Sequence, residues 1–168
     1  YLARLTAFTA RAADVSAQPG PHLLLEPGAP LYHDHLHRAL EGAGALIVGE
    51  DDWLGDRAAE PIVATTGAPV DALFNAYYSG APGPRLPRTA RDGWLLDRVA
   101  RGGVDGVVFH IPPDDQHYGW SYPGFRKLLD ERGIPSLLLR QEALDSNGRA
   151  AISAAAAQLD RKSTRLNS

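Results

Sequence analysis

Apolar positions along this chain follow two rhythms. Short unbroken runs occur at residues 22–26 (HLLLE), 45–48 (ALIV), 106–111 (GVVFHI) and 134–139 (IPSLLL). Runs this short, rich in Leu, Val and Ile and bounded by Gly or Pro, read as buried strands. Between them the apolar positions recur every three or four residues, as on one side of a helix. Helices are expected over residues 1–16 (Leu2, Leu5, Phe8, Ala12), 31–41 (Tyr32, Leu36, Ala39, Leu40) and 68–79 (Val70, Leu73, Phe74, Tyr77). Further helices are expected over 88–101 (Trp94, Leu95, Val99), from Pro123 onward (Phe125, Leu128, Leu129) and over 150–159 (Ile152, Ala155, Leu159). Pro123 is read as a first helical residue, where its missing N–H has no intrahelical partner to lose. Gly133 is read as the stop of the same helix.

Strands alternating with helices predict an α/β fold: a three-layer parallel sheet of about four strands, Rossmann-like or flavodoxin-like. The stretch 104–141 is the clearest unit, running strand, polar loop, helix, strand. In open parallel sheets ligands sit at the carboxyl ends of the strands, so the loops after the runs at 45–48 and 106–111 are where chemistry is expected.

The chain has 168 residues, enough for one domain, with 44% hydrophobic and 22% charged residues and a net charge of −3. That balance gives no reason to expect nucleic acid or an anionic membrane as a partner. No apolar run is long enough to span a bilayer and no signal peptide is visible, so a cytoplasmic location is the expectation. Cysteine is absent, which removes disulfides, thiolate ligands and Cys nucleophiles. There is no methionine either, and the last residues, RKSTRLNS, resemble a translated adapter. Residues 160–168 are therefore expected to be a non-native, disordered tail, with residues 1–17 a helix leading from a preceding domain and 21–159 the α/β domain.

Three polar constellations stand out. His33, His35 and His37 share one helix. Neighbours two apart face opposite sides, so only His33 and His37 could share a metal, and a solvated helix with one packed His is the competing reading. Glu50, Asp51, Asp52 and Asp56 crowd a strand end beside Arg57, making either a polar pocket rim or a set of helix caps. The loop after His110 holds Asp114, Asp115, His117 and Tyr118, with Trp120 and Tyr122 expected to pack beneath it. There is no Gly-rich phosphate loop and no nucleophile elbow.

Residues 21–141 resemble the C-terminal domain of the 2-hydroxyacyl-CoA dehydratase D-component and benzoyl-CoA reductase subunit family. The likeness rests on Asp105-Gly106-Val107-Val108-Phe109, on Tyr122-Pro123 followed by Leu128-Leu129, and on Arg132-Gly133-Ile134-Pro135 leading into Leu137-Leu138-Leu139. The resemblance implies a [4Fe-4S] cluster held by three cysteines, but here Trp53, Gly83 and Asp115 stand in their places. No cofactor is therefore expected on this chain alone, and no metal-ligating residue is assigned. The family's activity is radical dehydration or reduction of an acyl-CoA. The partners it implies are acyl-CoA, a cysteine-bearing homologous subunit and an ATP-dependent iron–sulfur activator. By this resemblance the chain is a fragment of such a subunit that walls the acyl-CoA pocket. Asp115 and His117 would be its acid–base residues, and Asp51, Asp52, Arg57, His110, Asp114 and Tyr118 its substrate contacts. The alternatives are a cluster-free scaffold or binding subunit and a hydrolase or isomerase using Asp115 and His117.

Overall fold

The computed structural model describes residues 1–12, 20–28, 31, 33–52, 54–59, 62–79, 87–112 and 114–140. The expected helix at 150–159, the tail, Trp53 and Gly83 lie outside the described residues. The elements run α1 (Leu2–Ala12), β1 (His22–Pro27), α2 (His35–Gly42), β2 (Leu46–Glu50), α3 (Asp56–Ala59), α4 (Pro69–Ser79), α5 (Arg88–Gly102), β3 (Gly106–His110), α6 (Gln116–Asp130) and β4 (Ser136–Leu139).

The four strands pair in parallel in the order β2-β1-β3-β4. Alternation along each strand divides the core into two layers. Leu23 and Leu25 of β1 and Val108 of β3 pack with Leu36 and Leu40 of α2 on one face. Leu24, Val107 and Phe109 pack on the other with Leu95 and Val99 of α5 and Phe125 and Leu129 of α6. Helix, sheet, helix is thus the observed layering, as the alternating rhythm predicts. Phe109, fully buried, meets Tyr122 edge-on at 5.2 Å and stacks with Phe125 at 6.0 Å. Gly103 closes α5 in the left-handed conformation (φ 58°), where a side chain would be strained. No helix among the described residues is long and apolar enough to cross a membrane.

Helix α2 starts at His35 rather than at residue 31, and two other boundaries differ in ways that bear on the site. Helix α6 starts at Gln116 rather than at Pro123, so most of the stretch read as a loop is helical and Pro123 lies inside the helix. The reason is Asp115: its Oδ1 accepts from the Tyr118 backbone N at 3.0 Å, a helix N-cap that starts the helix seven residues before Pro123. Pro123 is exposed and directly follows Tyr122, whose ring packs on Phe109, and this tertiary contact outweighs the helix bond that the proline removes. The fourth strand is also shorter than the run at 134–139. Ile134 turns into the α5–α6 core, and the Pro135 carbonyl accepts from Val107 N at 3.0 Å just before β4 begins.

Candidate functional site

The strand order reverses direction between β1 and β3, which makes their carboxyl ends the topological switch point of the sheet. There Gly28 N donates to the His110 carbonyl at 2.7 Å, tying the end of β1 to the end of β3. A Cβ on Gly28 would sit 2.5 Å from Asp115 Oδ2, so the loop after β1 fits against this carboxylate only because residue 28 is glycine. Asp115 is thus held at the switch point and spends one oxygen on its helix cap.

Beside it lies a buried polar network. Asp51 follows β2, its backbone N donating to the Leu25 carbonyl at 2.9 Å, and its side chain is 1% exposed. Arg57 of α3 grips it with two bonds, Nε to Oδ1 at 2.6 Å and Nη2 to Oδ2 at 2.9 Å. This fork geometry suits a guanidinium and a carboxylate in a dry site. Arg57 Nη2 also donates to the Tyr118 hydroxyl at 2.9 Å, and Trp94 Nε1 of α5 donates to Asp51 Oδ1 at 3.0 Å. Three chain segments far apart in sequence, around residues 51–57, 94 and 118, therefore meet at this ion pair.

Glu26, the last-but-one residue of β1, shares the sheet face of Leu24 and is 3% exposed. Burial pushes its carboxyl well above the ordinary value, and the nearby Asp51 carboxylate pushes the same way, through its charge and a hydrogen bond with Glu26. Burial also pushes Asp51 up, but the Arg57 hydrogen bonds and charge outweigh it and hold the group below its ordinary range. Burial raises the Tyr118 hydroxyl to about 12 in spite of Arg57. The network thus sets an ion pair of anionic Asp51 and cationic Arg57 beside a neutral Tyr118 and a Glu26 whose protonated form burial favours.

The remaining candidates are distributed around this core. Asp52 is 2% exposed and structural in its bonding: Oδ2 accepts from Leu31 N at 3.1 Å, and Oδ1 from Leu54 N at 2.8 Å and from Gly55 N. Alternation puts His110 on the face of Val108, opposite Glu26 and Phe109. Asp114 is exposed. His117 is exposed on the first turn of α6, where Arg91 Nη1 lies 3.0 Å from its Nε2 and 3.1 Å from the Ser121 hydroxyl. The structure therefore brings Asp51, Arg57 and Tyr118 together, sets Asp115 and His117 at the rim, and separates His110 from them. Trp120, expected to pack, is 85% exposed, because the helical path of residues 116–122 turns it outward while Tyr122 turns in. His33 precedes α2 and so does not share a helix with His35 and His37, and His37 Nε2 meets Glu50 Oε2 at 2.7 Å.

Glu26, Arg91 and Trp94 belong to the site and were not among the residues expected there. Glu26 carried a readable signal: strand alternation places the E of HLLLE on the same buried face as Leu24. Arg91 and Trp94 carried none, since nothing local shows which turn of α5 passes the carboxyl edge.

The 2-hydroxyglutaryl-CoA dehydratase, D-component, family model matches residues 2–162. The chain belongs to that family. No curated protein matches it significantly. The D-component match extends on both sides of residues 21–141, the stretch whose motifs carry the resemblance. An iron–sulfur cluster, which the family implies, needs thiolate donors, and this D-component chain has no cysteine. Asp115, a carboxylate that could offer an oxygen donor, spends Oδ1 on the α6 cap. Among the described residues no group of three or more His, Cys, Asp or Glu side chains is placed to hold a metal ion. The residues of this chain do not fit the cluster.

Proposed function

We propose that the chain forms one wall of the acyl-CoA pocket in a multi-subunit dehydratase or benzoyl-CoA reductase-like complex, acting in the cytoplasm beside a cysteine-bearing homologous subunit. That partner, served by an ATP-dependent iron–sulfur activator, supplies the redox chemistry. The observation that carries this reading is the rim at the switch point: Arg91, His117 and Ser121 in contact, set above a neutral buried floor of Asp51, Arg57 and Tyr118. Further cations flank the same helix. The Arg88 guanidinium lies against Gly124, and Arg140 Nη2 lies 3.6 Å from where a Cβ of Gly119 would be. A strip of three arginines suits the phosphates of coenzyme A, a ligand that no acidic rim would attract.

In this reading Arg57 and Tyr118 brace the floor, and Asp52 and Asp115 fix the loops after β2 and β3. His117 faces the acyl group as the acid–base residue, with Asp114 beside the entrance. Calorimetric titration of the anaerobically purified chain, alone and with a cysteine-bearing homologue, tests this. Binding of a 2-hydroxyacyl-CoA that weakens at least tenfold in R91A is the expected result. No binding in either preparation refutes the pocket-wall reading.

A second reading, a non-catalytic scaffold of the same family, is favoured by one observation: Asp51 and Asp52 spend both oxygens on protein donors, and Asp115 spends Oδ1 on its helix cap. It predicts complex formation without acyl-CoA binding.

A further inference from the structure

Two buried polar atoms at the site have no hydrogen-bond partner: Glu26 Oε1, an acceptor, and Arg91 Nε, a donor. Both residues line one small cavity, closed by Asp51, Trp94, Leu95 and Tyr118. The space open to the centre of a water molecule is about 10 Å³, roughly what one water needs. Two residues that line the same void, one with an unmet acceptor and one with an unmet donor, can be satisfied together by a bridging water, and leaving either unmet in a dry interior is costly.

We propose that this cavity is a built site for a single water molecule, which accepts a hydrogen bond from Arg91 Nε and donates one to Glu26 Oε1. The surroundings select a neutral oxygen ligand. Arg57 and Arg91 repel a cation, the Asp51 carboxylate repels an anion, and the space open to a water centre is about that of one water. The water completes the network in a specific way. With Oε1 supplied by the water, the other Glu26 oxygen is left to carry the proton toward Asp51, which agrees with the raised affinity of Glu26 for its proton. It also links the buried acid to the rim, because the same arginine that holds the water through Nε holds His117 and Ser121 through Nη1. The site does not depend on whether an acyl-CoA binds outside it, so it stands or falls separately from the proposed function.

The test is a crystal structure of the full chain at a resolution that shows ordered water, solved for wild type and for E26Q and E26L. Wild type is expected to show one water within hydrogen-bond reach, about 2.7–3.2 Å, of both Glu26 Oε1 and Arg91 Nε. E26Q, which keeps the carbonyl oxygen, is expected to retain it. E26L, if it folds, should expel it and lower Tm by several degrees. A dry cavity in wild type, or one filled by a shifted protein side chain, overturns the proposal, as does loss of the water in E26Q.

Discussion

At the residue scale the structure turns on one carboxylate. Asp51 holds its charge while almost fully buried, because Arg57 and Trp94 donate three bonds to it. Breaking such a pair costs more than forming it gains, since the survivor is left as an uncompensated buried charge. R57A should therefore destabilise the protein by about 3–5 kcal/mol, measured by urea denaturation. The two acids give opposite pH dependences. Asp51 has a lowered folded-state pKa, so its contribution is present above the ordinary carboxylate value of about 3.9 and is lost as pH falls below it. Glu26 has a raised one, so its contribution is complete below about 4.3 and declines as pH rises through the window up to its folded value. E26Q should flatten the decline above that point and leave the protein at least as stable as wild type at neutral pH, read from denaturation curves at a series of pH values. A pH profile identical to wild type would show that Glu26 is not held neutral. Of these residues, the sequence pointed to Asp51, Arg57 and Tyr118 by their place at strand ends. Glu26 was legible from strand alternation alone, whereas Arg91 and Trp94 were not, because which turn of α5 passes the carboxyl edge depends on how the helix docks, which no local pattern encodes.

At the scale of elements, the segment 112–130 shows where local signals compete. Pro123 preceding an apolar helical pattern reads as a helix start, but the structure starts the helix earlier, at the Asp115 cap. The structure follows the cap and tolerates the proline. Removing the cap in D115A should cost about 1 kcal/mol, and P123A should gain about 1–2 kcal/mol because the position is exposed and inside the helix. Both are read by thermal or chemical denaturation, and a destabilised P123A would mean that the proline is needed for the path of Tyr122 onto Phe109. Strands were more legible than this helix. Four short apolar runs gave four strands, within two residues at each end, because a buried parallel strand must be apolar on both faces and so announces itself.

For the whole molecule, the order β2-β1-β3-β4 places one switch point, and the expected site loops meet there. Family membership and fold were both readable from motif order and rhythm. What could not be read was how the polar residues divide between floor and rim, since that depends on three helices closing over the sheet. In the proposed function this D-component family chain, which has no cysteine, would lend its polar edge to an acyl-CoA pocket while a partner carries the redox centre. The most direct test is iron and acid-labile sulfide in the anaerobically purified chain, with its visible spectrum. The account predicts a colourless protein with no iron or sulfide above background. Iron and sulfide at cluster stoichiometry in the chain alone would contradict it.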